Sequence, residues 1–274
     1  MKRIIVPIDF SSYSEHAFLT AARIAQKTNS SITCVNVVSS LLDWYNLSEE
    51  TKIQHQEVLD LELEANESLR AFAKQHHKAG VPVDTLVQIG VPHRVIVDVA
   101  HREKADLIVI GAYGKGHEQG KFLGSNLQTV LRNADCPVLA VKKTMNGNEL
   151  RKMAFSSIFN EASKEAFEKM KPLIKAFQAS VHFLFVNTPS HFTSSEEAKI
   201  KMYLYAKGFE DITIHKHVYS HLEIENGIVE FAENNKIGFI GIASNNRKGT
   251  SSYQIGVTDT VLFKTDIPVL SVKL

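Results

Sequence analysis

Glycines at 111, 114, 116, 120 and 124 crowd a stretch of fourteen residues that runs into Ser125, and the chain's capacity for chemistry concentrates there. Glycine has no Cβ, so main-chain N–H groups in such a loop can approach an anion closely. Ser125 opens an amphipathic segment, Asn126 to Asn133, with Leu127, Val130 and Leu131 at helical spacing. The free N–H groups and positive dipole end of that helix favour phosphate, and the Ser125 hydroxyl adds a donor. Lys115 and Lys121 stand in the loop as cations able to screen phosphate charge, and His117 is the histidine placed for a phosphate contact. Upstream, Asp9 ends an apolar strand, where its carboxylate could serve a ribose, a metal or the start of a helix.

The common nucleotide loops are not met. GxxxxGK[ST] fails because neither Ser nor Thr follows Lys115, and GxGxxG is absent; the spacing present is G-x2-G-x9-G-S at Gly111, Gly114, Gly124 and Ser125. No Ser-His-Asp order, G-x-S-x-G elbow or HExxH helix occurs. No catalytic residue is assigned, since only Asp9 and His117 stand near enough in pattern to serve hydrolysis of a terminal phosphate. His215 and His217 alternate on one strand with His221 a short loop away, but nothing in the spacing fixes a further metal ligand.

These residues need elements to position them. Leu107-Ile108-Val109-Ile110 is an unbroken apolar run of the kind a strand buried on both faces shows, and it stops at Gly111. Residues 2–9 read as another buried strand, followed by a helix to about Lys27 capped by Ser11, Ser12 or Ser14, with Ala17, Phe18, Ala21, Ala22 and Ile24 inside. Ile32 to Val38 and Val83 to Ile89 are strands, with an irregular stretch at Leu41 to Tyr45 and a long helix between them. That helix carries Ile53, Val58, Leu61, Leu63, Leu69, Phe72 and Ala73 and ends near Gly80. A helix after Pro92 turns Val95, Ile96, Val99 and Ala100 inward, and Cys136 to Val141 is the last strand of the set. Strand and helix alternate throughout, which calls for a parallel sheet covered on both faces.

The same grammar restarts after a polar stretch at residues 143–149. At an offset of 149, Ser14-x-x-Ala17-Phe18 meets Ser163-x-x-Ala166-Phe167. Later, Ile96 to Ala100 meets Ile228 to Ala232, and Asp135 to Lys142 meets Asp266 to Lys273. Two copies of one domain, 1–143 and 150–274, are the simplest account. One copy then serves as the control for the other. Gly111 faces Ala243, Gly114 faces Asn246, Ser125 faces Val257, and Asp9 faces Ile158. A nucleotide site is therefore expected in the first copy only, near the carboxyl ends of its strands.

With 274 residues and 44% hydrophobic content the chain can bury large cores. Lys and Arg number 31 against 30 Asp and Glu, so no strong electrostatic footprint for nucleic acid or an anionic membrane is expected. No apolar run has the length of a membrane span, and the reading is cytoplasmic, with Cys34 and Cys136 as small buried residues and not a disulfide.

Three separated pieces agree in order and spacing: Ile4-Ile5-Val6-Pro7-Ile8-Asp9-Phe10-Ser11, the G-x2-G-x9-G-S loop, and Cys136-Pro137-Val138-Leu139-Ala140-Val141. Together they resemble the universal stress protein family. The resemblance implies two tandem five-stranded parallel-sheet domains with helices on both faces, of the adenine nucleotide alpha hydrolase-like kind, related by a pseudo-two-fold. It implies pairing of the domains through Val138 to Lys142 and Val269 to Lys273, with a homodimer of whole chains left open. It also implies an adenine nucleotide, ATP with Mg or else ADP or AMP. By motif, Val37 matches the position whose backbone meets adenine, Pro7 and Asp9 flank the nucleoside, and Gly111, Gly114, Gly124 and Ser125 match the phosphate loop, with Asn126 offering its N–H. Family members that bind ATP usually carry Ser or Thr two residues after the motif serine, where this chain has Leu127. The function implied is a stress-response regulator or sensor acting through conformational or partner change; a slow ATPase or autophosphorylating enzyme, and a ligand-free interaction module, are the alternatives.

Overall fold

The alternation of apolar strands and amphipathic helices folds as a single ten-stranded sheet in the order β3-β2-β1-β4-β5-β10-β9-β6-β7-β8. The computed structural model describes residues 1–116, 123–244 and 256–274. His117, Gly120, Lys121 and Asn246 lie outside the described residues.

The first half runs β1 (Arg3–Pro7), α1 (Ser12–Thr28), β2 (Ser31–Ser39), α2 (Glu49–Ile53), α3 (Gln56–Gln75), β3 (Val83–Gly90), α4 (Pro92–Arg102), β4 (Leu107–Gly111), α5 (Ser125–Asn133) and β5 (Val138–Val141). The second runs β6 (Lys152–Ser156), α6 (Glu161–Phe177), β7 (Ser180–Asn187), α7 (Ser195–Ala206), β8 (Ile214–Ser220), α8 (Ile224–Asn234), β9 (Phe239–Ser244), α9 (Val257–Lys264) and β10 (Val269–Lys273). Every neighbouring pair of strands is parallel except β5 and β10, which run antiparallel with Leu139 opposite Leu270. Each half therefore repeats one strand order, and the halves join at their last strands. Helices α1, α3, α6 and α7 pack one face of the sheet, while α4, α5, α8 and α9 pack the other.

The repeat extends to the backbone. Among the described residues six non-glycine positions have positive φ, and they form three pairs at the offsets found in the sequence: Phe10 with Phe159, Asn29 with Gln178, and Lys104 with Lys236. The seam is also symmetric. Lys142 reaches Asp266 at 3.6 Å and Lys273 reaches Asp135 at 3.8 Å, equivalent residues in the two halves.

Two expectations are modified. The long helix between β2 and β3 is broken at residues 54–55 and ends at Gln75, with Gly80 at φ +80 in the turn beyond. Val58, Ala65, Leu69 and Phe72 form its inward stripe at about 100° per residue. Leu63 falls on the opposite side and Leu61 on the stripe's edge, so both are exposed, as is Ile53. Residues 143–149 are polar but are not a loose tether. His16 bonds Thr144, Thr20 accepts the Met145 N–H, and Arg23 bonds the Met145 carbonyl, so the connection lies fixed along α1. Trp44, in the stretch expected to be irregular, anchors a short 3-10 turn by packing with Val38, Ala65 and Ile89. Cys34 and Cys136 are free thiols, each pushed up to about 12 by burial. Among the described residues no helix is long and apolar enough to cross a membrane.

Candidate functional site

In the first half the chain order reverses between β1 and β4, because β2 and β3 extend the sheet one way and β4 and β5 the other. Open α/β sheets bind ligands in the crevice outside the carboxyl ends of strands at such a switch point. A cavity of about 250 Å³ opens there. Pro7, Ile8 and Asp9 line it from the end of β1, Val35, Asn36, Val37 and Ser39 from β2, and Ile110 to Gly114 from the end of β4. Pro92 and Ile96 of α4 close one wall, and Gly124, Asn126 and Leu127 bring in the start of α5.

Of the nine residues expected from the sequence, seven meet in this cavity: Pro7, Asp9, Val37, Gly111, Gly114, Gly124 and Asn126. Ser125 is exposed at the first turn of α5, beside the cavity and not in its wall. Lys115 contributes its main-chain N–H, which donates to Asp9 Oδ2 at 2.7 Å. Asp9 is thereby a brace. Its Oδ1 accepts from the Ser11 N–H at 3.1 Å and the Ser11 hydroxyl at 2.6 Å, while Oδ2 holds the glycine loop. Burial alone would raise the Asp9 pKa, but the hydrogen bonds from Ser11 and Lys115 outweigh it and hold the carboxyl below its ordinary value. Ser11 is the helix cap, accepting the Ser14 N–H at 3.2 Å.

The glycines divide by what a side chain would meet. A Cβ on Gly111 would come within 2.8–2.9 Å of Tyr13 in the first turn of α1, so this glycine is required by packing. A Cβ on Gly114 would stand 2.9 Å from Asp9 Oδ2, so this one lets the loop close on its brace. Among the described residues a Cβ on Gly124 meets nothing within 4 Å, and its φ of −60° suits any residue. Packing against the described residues leaves Gly124 unexplained.

Three lining residues escaped the sequence reading, and Leu127, already read as an inward apolar residue of its helix, joins them in the wall. Asn36 is buried and donates from Nδ2 to the Ile8 carbonyl at 2.7 Å, pinning the end of β1 to β2. Tyr113, between two glycines of the loop, stacks edge-on against Tyr13 at 5.2 Å, and burial raises its phenol pKa. Pro92, at the first turn of α4, shapes the wall. Leu127 is 3% exposed and makes an apolar wall where a hydroxyl was missed. Only Tyr113 carried a signal, its place inside the loop.

Among the described residues the second half lacks these arrangements. Ile158 replaces Asp9 and is exposed, Phe185 replaces Asn36, and Ala243 replaces Gly111. At the start of α9, Asp259 sits within the first turn, with Oδ2 3.4 Å from the Gly256 N–H and 3.1 Å from an Arg132 amine of α5. The histidines on β8 do gather, though with a different partner from His221. His215 and His217 face His182 on β7, with His182 Nδ1 2.9 Å from His217 Nε2, while His221 turns to Glu223 and Glu230. Among the described residues no group of three or more His, Cys, Asp or Glu side chains is arranged to hold a metal ion.

A doubled α/β fold with a cavity at the switch point of its first half defines a tandem α/β protein with a candidate ligand crevice there. The profile described as the universal stress protein family matches residues 1–142, and the chain belongs to that family. A universal stress protein of Methanocaldococcus jannaschii is 36% identical over 142 residues, which are 52% of this chain and 82% of that protein. One of Thermus aquaticus is 36% identical over 142 residues, covering 52% of this chain and 98% of its own length. Among solved structures, a universal stress protein of Archaeoglobus fulgidus is similar with a TM-score of 0.77 over 99% of this chain and 98% of that one. At 18% identity that likeness shows the fold across both halves.

Proposed function

We propose that residues 1–143 form an adenine-nucleotide-binding domain and that residues 150–274 form a degenerate copy retained as its packing partner. The observation that carries this reading is the convergence of Pro7, Asp9, Val37, Gly111, Gly114, Gly124 and Asn126 on one cavity at the β1/β4 switch point. The cavity has the right division of chemistry. Val35, Val37 and Ile96 offer apolar surface to a base, while Gly124 and the open first turn of α5 offer main-chain N–H groups to phosphate. The ligand is ATP, ADP or AMP, with Mg2+ arriving on the phosphates and Asp9 the acidic residue in the cavity wall.

In this reading the protein is a cytoplasmic stress-response regulator or sensor that works by binding. Nucleotide in the crevice alters the surface around it, and a partner reads the altered surface. Asp9 is poorly suited to act as a base, because its oxygens are already engaged by Ser11 and Lys115 and its pKa is lowered. Calorimetric titration of the intact chain with ATP, ADP and AMP tests the proposal, with one site per chain expected. Two sites per chain would overturn the assignment of the second half as degenerate. No binding of any of the three would leave the interaction-module reading in its place.

A further inference from the structure

We infer that the side-chain amide of Asn126, oriented by His93, is a phosphoryl-binding donor of the cavity, an inference that rests on the nucleotide reading above. Asn126 is exposed in the first turn of α5 and lines the cavity. His93 stands in the first turn of α4, and its Nδ1 lies 3.1 Å from Asn126 Oδ1. Among the described residues the NH2 group of Asn126 has no protein partner.

An asparagine free to rotate presents its carbonyl or its NH2 group with similar ease, and only the second suits an anion. In the tautomer with the proton on Nδ1, His93 decides between them. It engages the carbonyl oxygen, turns the acceptor end toward α4 and leaves the NH2 group as the end available to a ligand. The neighbouring Leu127 is buried and its side chain offers no donor, so among the residues of this helix start that line the cavity the Asn126 amide is the side-chain donor. The second half is an internal control. The positions equivalent to His93 and Asn126 are Glu225 and Thr258, an acid that would repel phosphate and a residue 6% exposed. The pair is thus present in the half that keeps the glycine loop and missing from the half that does not.

The test is calorimetry of the intact chain with adenosine, AMP, ADP and ATP, comparing wild type with Asn126→Leu, His93→Ala and His93→Gln. Asn126→Leu keeps a similar volume while removing the NH2 donors without adding charge, and should weaken the phosphorylated ligands by at least about tenfold while leaving adenosine unchanged. His93→Ala should weaken the same ligands less, and His93→Gln, whose amide can donate to the same oxygen, should recover part of the loss. Equal weakening of adenosine and AMP would mean a structural role, and unchanged affinities would mean no role; either overturns the inference. If wild type binds none of the four, the nucleotide reading itself fails and this one with it, an outcome distinct from binding that is indifferent to the two residues.

Discussion

Alanine substitutions at three loop glycines separate those that serve packing from those that serve a ligand. At Gly111 the new methyl would lie 2.8 Å from the Tyr13 carbonyl carbon and 2.9 Å from its Cβ and O, atoms of α1 that cannot yield without moving the helix off β4. Overpacking of that kind costs about 1–3 kcal/mol. At Gly124 the methyl meets nothing within 4 Å among the described residues, and the backbone is already in a region alanine adopts. There a reduced unfolded-chain entropy of about 0.4–1 kcal/mol is offset by a weaker helix cap, and the net change should be within about 0.5 kcal/mol. Gly114 lies between the two, because its methyl would press on Asp9 Oδ2 at 2.9 Å, and that oxygen can retreat only by releasing the Lys115 N–H. The assays are urea denaturation and nucleotide calorimetry on each intact variant. Stability should fall most for Gly111→Ala and change by no more than about 0.5 kcal/mol for Gly124→Ala, while Gly124→Ala should lose about tenfold or more in affinity, because its methyl occupies the surface a phosphate must approach. A Gly124→Ala protein that folds and binds like wild type would refute the assignment of phosphate to the start of α5.

Two further predictions concern the second half. Burial first, and then the charges of His217, Lys152 and His215, lower the His182 pKa to about 4 from an ordinary 6.5. The unfolded chain therefore takes up its proton first as pH falls, and stability should drop between about pH 6.5 and pH 4 and then level off. For a partly exposed group about 1–2 kcal/mol is expected after solvent screening, and His182→Thr, copying Thr33 of the first half, should flatten that part of the urea-stability profile; superimposable profiles would refute it. Arg132→Met should cost about 1–3 kcal/mol because it strips an ion pair from the Asp259 carboxylate, whose side chain is only 7% exposed. Asp259→Leu, copying Leu127, removes the buried carboxylate together with its need for a partner and should cost less; the reverse order in denaturation would count against the pairing.

The sheet was legible because its strands are apolar runs and its helices carry one buried stripe, patterns that local spacing preserves. The doubled architecture was legible because the same words recur at fixed offsets. What local spacing does not carry is the meeting of segments far apart in the chain. Gly111 looked like a residue for close approach to phosphate, yet its missing Cβ is taken up by Tyr13. Asp9 offered itself for a ribose, a metal or a cap, and its carboxylate holds Lys115, 106 residues away. The His93–Asn126 bond joins two helix starts separated by 33 residues, and no spacing rule connects them. Leu61 and Leu63 show the opposite error, apolar residues counted toward a buried face whose angular limits only the packed helix defines.

The two halves also separate what the fold needs from what a ligand needs. Phe10 and Phe159 both take the left-handed conformation at the turn from first strand to first helix, so that strain belongs to the fold and does not mark the site. The helix starts differ. Every helix leaves its first N–H groups without intrahelical partners, and a buried or half-buried start must find an acceptor. In α9 the chain supplies one, with the Asp259 carboxylate against the Gly256 N–H and Arg132 completing its pairing. In α5 no side chain caps the start among the described residues, Leu127 occupies the position of that carboxylate, and the turn opens on a cavity. One copy thus carries its anion covalently, while the other presents the same dipole and N–H groups to solution, which is the condition under which an exogenous phosphate binds.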